Sequence, residues 1–154
     1  MASDHCWRPP ASGFKLNVDA AVDVRKDRHN VAAVIRDCNG LSVDVVAKCF
    51  EGLVDVEVAE VKAILEGLQL AIEDDLCELI MEFDAFKVIK LCTGEIVSRS
   101  EVVNVIHDIH LLVDKHGFSS FFFVPHKCNK VAHGATRWVV SSGFSALWIL
   151  SFPD

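Results

Sequence analysis

Three acidic side chains occupy positions where a charge is unexpected. Asp19 interrupts an otherwise good strand, on its polar side with Lys15 and Asn17, and Asp84 directly follows the apolar run 79–83. Glu60 lies near the start of a periodic helical segment, at the edge of its apolar face. Because desolvating a lone carboxylate is costly, such acids need a charge partner. A divalent cation would satisfy all three, and ligation by oxygen alone suits Mg²⁺ or Mn²⁺.

The pattern alone leaves a plainer alternative open. The chain has 22 acidic residues, and most solvated acids lie in turns or on polar helix faces. Glu60 would then be an ordinary acid near a helix N-terminus, and Asp19 and Asp84 would be turn acids.

The elements that would position these acids can be predicted from hydrophobic periodicity. Alternating or short apolar runs predict five strands, at 14–19, 31–36, 41–50, 78–83 and 118–124. Spacings of three and four predict helices at 57–74, 86–92, 102–113 and 131–142. Short connections imply that the first three strands are antiparallel, and helical crossovers favour parallel pairing of the last two. We therefore predict an α/β fold, a mixed five-stranded sheet with helices on its faces.

Length and composition fit one globular unit. The 154 residues are 51% hydrophobic, which suffices for a sizeable core. We predict an N-terminal segment at 1–13 that leads into the domain, the domain itself at 14–142, and an apolar C-terminal tail at 143–154. The net charge of −7 disfavours a basic nucleic-acid-binding tail, so a nucleic-acid partner would need metal ions and a local patch.

Cysteine usage and hydropathy bear on the compartment. Six scattered cysteines without a C-x-x-C pair are typical of thiols in a reducing compartment. The N-terminus has no apolar signal core, and the apolar stretch 144–152 is too short to span a bilayer. We predict a soluble intracellular monomer with no membrane partner.

Short motifs occur in a specific order along residues 7–140. They are Trp7-x-Pro9-Pro10, Lys15-x-Asn17-x-Asp19-x-Ala21, Val34-Ile35-Arg36-Asp37-x-x-Gly40, Ala59-Glu60-x-x-Ala63-x-x-Glu66-Gly67-Leu68, Glu82-x-Asp84 and Asn129-x-x-Ala132-His133. Their joint order and spacing resemble the plant ribonuclease H-like domain family (RNase H type 1, reverse-transcriptase-like). The resemblance covers nearly the whole chain and implies a ribonuclease H-like fold.

The resemblance also implies an activity, the endonucleolytic hydrolysis of the RNA strand of an RNA–DNA hybrid with two Mg²⁺ or Mn²⁺ ions. Asp19 matches the acid that bridges both metals, and Glu60 and Asp84 match the acids on the leaving-group side. Shape and 2′-hydroxyl contacts would recognise the hybrid. The resemblance places nucleic-acid contacts at Asn17, Ala20, His126 and Asn129.

Three positions depart from the family pattern. His133 stands where the family has a fourth acid, and imidazole ligates Mn²⁺ but is a poor ligand for Mg²⁺. Ala20 replaces a glycine that lets a backbone approach closely, and His126 replaces a frequent arginine. The alternative is therefore a catalytically weakened or inactive domain that binds nucleic acid or protein, with the apolar stretch 144–152 as one possible docking surface.

Overall fold

The computed structural model describes residues 7–96, 100–118 and 121–149. The elements in chain order are β1 Phe14–Asp23, β2 Arg28–Asp37, β3 Ser42–Glu51, α1 Val56–Glu73, β4 Leu79–Phe83, α2 Phe86–Cys92, α3 Ser100–His116, β5 Phe121–Phe123, α4 Lys130–Ser142 and β6 Ala146–Ile149. A short 3₁₀ turn, His126–Cys128, precedes α4. No helix in these ranges is both long and apolar enough to cross a membrane.

The strands form one mixed sheet in the order β5-β4-β1-β2-β3-β6. The first three strands pair antiparallel, and β4 and β5 pair parallel to β1 and β4 respectively. The predicted α/β fold and the pairing of its first five strands are confirmed. The sheet nevertheless has six described strands, one more than the five predicted.

The additional strand comes from the segment predicted as an apolar tail. Ala146–Ile149 pairs antiparallel with residues 44–47 of β3. This short apolar run follows Gly143, whose positive φ of 72° ends α4. Pairing satisfies backbone groups along the outer edge of β3, and a four-residue run gives too little periodicity to show this in sequence. Residues 150–154 of the predicted tail lie outside the described residues.

Helices cover both faces of the sheet. On one face α1 and α3 bury the larger core, which includes Leu16, Ile64 and Met81. Gly67 lets α1 pack closely against β1, since a Cβ there would lie 2.6 Å from Cδ1 of Leu16. On the other face the apolar side of α4 packs on β2 and β3, around Val34.

The extent of pairing between β1 and β4 determines where a site can open. Their register runs from Phe14 opposite Leu79 to Asn17 opposite Glu82. Beyond that point β1 has a free edge toward β4, while it remains paired with β2 as far as Asp23. Because α1 and α4 lie on opposite faces, their N-terminal turns can both reach this edge.

A buried polar cluster occupies the second face beside α4. The Arg36 guanidinium lies 3.6 Å from the centre of the Trp7 ring and donates to Oδ1 of Asn17 at 3.0 Å. Glu82 accepts from the Trp7 indole at 3.1 Å and pairs with Lys15 at 2.9 Å. Burial lowers the pKa of Arg36 to about 10, although Glu82 opposes the shift. Trp7 thus covers the charged side chains of Arg36 and Glu82 on the part of this face that α4 does not reach.

Candidate active site

The three predicted acids lie near one another at the free edge of β1. Asp19 lies on β1, Glu60 on the second turn of α1, and Asp84 directly after β4. Asp19 and Glu60 are only 7% and 8% exposed, and the side chain of Asp84 is 9% exposed. Residues far apart in sequence therefore place three nearly buried carboxylates in one region.

The electrostatics show that these carboxylates influence one another. Burial, followed by the charges of Asp19 and Asp84, raises the pKa of Glu60 to about 8, although a hydrogen bond from the Ala20 backbone opposes the shift. Burial also raises the pKa of Asp19, as does Asp84, while hydrogen bonds from Thr136 and His133 lower it. Such a group of mutually repelling acids favours bound protons or a bound cation.

Two imidazoles contact two of the acids. Nδ1 of His126 donates to Oδ2 of Asp84 at 2.7 Å, and Nδ1 of His133 donates to Oδ2 of Asp19 at 3.2 Å. The centres of the two imidazole rings are 4.8 Å apart, and the rings contact edge to face. Because an ionised carboxylate only accepts, the shared proton lies on Nδ1 of each imidazole, and in a neutral ring Nε2 is then an acceptor. His126 and His133 therefore join the acids in one constellation.

The donor set fits a hard divalent cation in its chemistry. Three carboxylates supply oxygen ligands, and a cation would relieve the repulsion that raises the pKa of Glu60. Their oxygen atoms do not already converge, since no set of three or more His, Cys, Asp or Glu side chains in the described ranges has metal-binding geometry. The carboxylates would have to move closer together to share a cation.

A cleft of about 700 Å³ opens beside this constellation, between β1 and α4. Asp19, Ala20, His126 and His133 line it. Two of the predicted nucleic-acid contacts, Ala20 and His126, are thus at the cleft.

The other two predicted contacts, Asn17 and Asn129, are fully buried. Asn17 bonds Arg36 and Glu82. Asn129 donates to the carbonyl of Val18 at 2.7 Å, tying the start of α4 to β1 next to Asp19. Both asparagines therefore support the site from beneath it, and neither presents its side chain to the cleft.

Sequence reasoning missed two supporting features. Thr136 hydrogen-bonds Asp19, and its spacing of three residues from His133 on α4 could have indicated a shared face. Arg36 is only 7% exposed beneath Trp7, although an isolated basic residue on a strand is ordinarily a surface residue. Its burial depends on Trp7, which lies outside the strands, so no local pattern in the sequence indicates it.

Comparison with solved structures defines the class of fold. RNase H1 from the halophilic archaeon Halobacterium salinarum NRC-1 has a TM-score of 0.77 at 18% identity, covering 83% of this chain and 97% of that one. LC11-RNase H1, solved in complex with an RNA/DNA hybrid, has a TM-score of 0.75 at 16% identity, covering 84% and 98%. The N-terminal RNase H domain of a Mycobacterium tuberculosis protein has a TM-score of 0.72 at 15% identity, covering 86% and 99%. The fold is ribonuclease H-like.

Comparison with protein families assigns the chain to one family within this fold class. The model described as reverse transcriptase-like matches residues 17–139, and the chain belongs to that family. No curated protein matches the chain in sequence. The attribution to the plant branch of the family stays a prediction.

Proposed function

We propose that the chain hydrolyses the RNA strand of RNA–DNA hybrids endonucleolytically, in a reaction that depends on divalent metal. The observation that carries the proposal is the trio of nearly buried acids, whose mutual repulsion contributes to a Glu60 pKa of about 8. Family membership supports the same chemistry. The hybrid bound to LC11-RNase H1 suggests the substrate class.

All three acids would act as metal ligands. Asp19, Glu60 and Asp84 would hold Mg²⁺ or Mn²⁺, and the bound cations would supply an activated water and stabilise the leaving oxygen. Glu60 must lose its proton before it can act as a ligand, because burial keeps its pKa near 8. The Ala20 backbone then orients the Glu60 carboxylate.

His133 bears on which metal supports the reaction. It lies on α4 and its side chain is 40% exposed beside Asp19. With Nδ1 engaged by Asp19, the remaining ring nitrogen can ligate Mn²⁺ but is a poor ligand for Mg²⁺. We therefore expect Mn²⁺ to support activity better than Mg²⁺.

A second candidate function is a hybrid-binding domain with weak or absent catalysis. The specific observation in its favour is that His126 and His133 each hydrogen-bond one oxygen of a carboxylate that a metal would need. In that case the imidazoles would compete with the cation, and the chain would bind nucleic acid without cutting it.

Cleavage of an end-labelled RNA–DNA hybrid distinguishes the two candidates. The enzyme proposal predicts internal cuts in the RNA strand in Mn²⁺, no cuts in chelator, and loss of cutting in Asp19→Asn. Circular dichroism of the variant controls for folding. A folded wild type that binds the hybrid but does not cut it in either metal would support the second candidate instead.

His133→Asp tests the role of the fourth position. Restoring a carboxylate should raise the rate in Mg²⁺ more than the rate in Mn²⁺, because it supplies the hard ligand that Mg²⁺ prefers. Equal changes in both metals would show that His133 does not act as a ligand.

A further inference from the structure

An exposed pair of aromatic rings lies close to the acid site. Phe86, on the first turn of α2, is 55% exposed, and Phe123, at the end of β5, is 48% exposed. Their rings contact edge to face with centres 5.5 Å apart. Apolar side chains that are contiguous at a surface are candidates for contact with a ligand or partner.

The strand that carries Phe123 is packed against the core. Alternation along β5 puts Phe121 and Phe123 on one face of the sheet and Phe122 on the other. Phe121 packs on the buried Phe83, with ring centres 5.7 Å apart, and Val124 hydrogen-bonds the Phe83 carbonyl at 2.8 Å. Both contacts hold the backbone of Phe123 against β4.

Chain connectivity places the pair beside the acids. Phe86 is the second residue after Asp84, Phe123 is the third before His126, and Asp84 and His126 are bonded at 2.7 Å. Three residues of extended chain span roughly 10 Å, which corresponds to about three nucleotides stacked at 3.4 Å each. A strand bound at the acids would reach these rings within a few nucleotides.

Charge around the rings favours a polyanion. Nζ of Lys90 lies 4.8 Å from the centre of the Phe86 ring, and Lys127, next to His126, is exposed. Lys87 is also nearby, although its ammonium is bonded to Glu57. Cations beside exposed aromatic rings are the combination with which proteins bind single-stranded nucleic acid, because every base offers a face for stacking.

We propose that Phe86 and Phe123 form a stacking platform for unpaired bases of a nucleic-acid strand that extends from the acid site. The choice of nucleic acid as ligand rests on the proposed function. The platform would hold single-stranded overhangs with little sequence preference, because stacking is tolerant of base identity. It would thereby favour hybrids that end in, or are flanked by, a single strand.

Fluorescence anisotropy with a short labelled oligothymidylate tests the platform. This probe contains no RNA, so the proposed cleavage reaction cannot consume it. Phe86→Leu and Phe123→Leu keep apolar bulk but lose the aromatic face, and each should weaken binding about fivefold to 100-fold. Phe122→Leu is the matched control, since Phe122 is 51% exposed on the same strand but on the opposite face; binding should change less than twofold.

The outcomes separate this proposal from the proposed function. Hybrid cleavage with unchanged oligothymidylate binding in both platform variants would overturn the platform and leave the nuclease intact. A wild type that binds oligothymidylate but never cuts the hybrid, together with loss of that binding in the two platform variants alone, would support the platform and refute the nuclease. Equal losses in Phe122→Leu and Phe123→Leu would also overturn the platform. Wild-type self-association that Phe123→Leu abolishes, without oligonucleotide binding, would assign the rings to contact between copies instead.

Discussion

Replacing Glu60 by glutamine should stabilise the metal-free protein at neutral and alkaline pH. Burial, followed by the charges of Asp19 and Asp84, raises the pKa of Glu60 from 4.5 to about 8. A folded-state pKa above the unfolded one means that stability is full below pH 4.5 and falls as the pH rises through 8. Glutamine has no proton to lose, so this fall should disappear in the variant.

The magnitude follows from the same pKa values. At pH 7 a group with an unfolded pKa of 4.5 is about 2.5 pH units above that value, and each unit corresponds to about 1.4 kcal/mol. The wild type should therefore have lost about 3 kcal/mol of its free energy of unfolding by pH 7. Glu60 is 8% exposed, so solvent screens little of this effect.

Urea unfolding in chelator, followed by tryptophan fluorescence at several pH values from about 5 to about 8, measures the difference. Glu73→Gln is the control, because Glu73 is exposed on the same helix and its substitution should change stability by only a few tenths of a kcal/mol. Parallel pH profiles for the wild type and Glu60→Gln would refute the burial argument. Mn²⁺ should stabilise the wild type more than the variant, since the cation replaces the proton.

Three further substitutions test a second acid and the core, and one of them serves as a control. Burial, followed by a hydrogen bond and repulsion from Asp74, raises the pKa of Asp44 to about 7. The free energy of unfolding should therefore fall as the pH rises from about 4 to about 7. Asp44→Asn should remove about 1–2 kcal/mol of that fall after allowance for screening by solvent, as urea titrations at acid and neutral pH would show. Gly67→Ala places a methyl group against Leu16 and should cost about 1–3 kcal/mol in thermal or urea unfolding. Gly134→Ala meets nothing within 4 Å and should be neutral or stabilising by up to about 1 kcal/mol; equal losses for the two glycines would contradict the packing described for α1.

Much of the fold follows from local patterns in the sequence. The predicted helix at 57–74 corresponds to α1 at Val56–Glu73, because a helix packed on one face of a sheet needs apolar residues every three or four positions. The strand predicted at 14–19 extends to Asp23 in the structure. Its second half lacks clear alternation since it pairs with β2 alone, and β6 was missed because tertiary pairing supplies its only signal.

The site was predictable to a lesser degree. Asp19, Glu60 and Asp84 could be singled out because each is an acid in an apolar setting, and the structure brings all three together. The bond between Asp84 and His126 joins residues 42 apart, a separation at which periodicity carries no information. Burial of Asn17 likewise depends on Arg36 from the neighbouring strand, so the sequence motif could single out Asn17 but could not show that its side chain is buried.

The central claim is that three acids at the free edge of β1 hold metal for cleavage of RNA. The most direct test is the initial rate of internal RNA cleavage in a labelled RNA–DNA hybrid in Mn²⁺, with wild type and folded Asp19→Asn compared side by side. Asp19→Asn should lower the rate at least about 100-fold, because it removes a charged ligand close to both other acids. Equal rates in the two proteins, or no cleavage by a folded wild type, would contradict the claim.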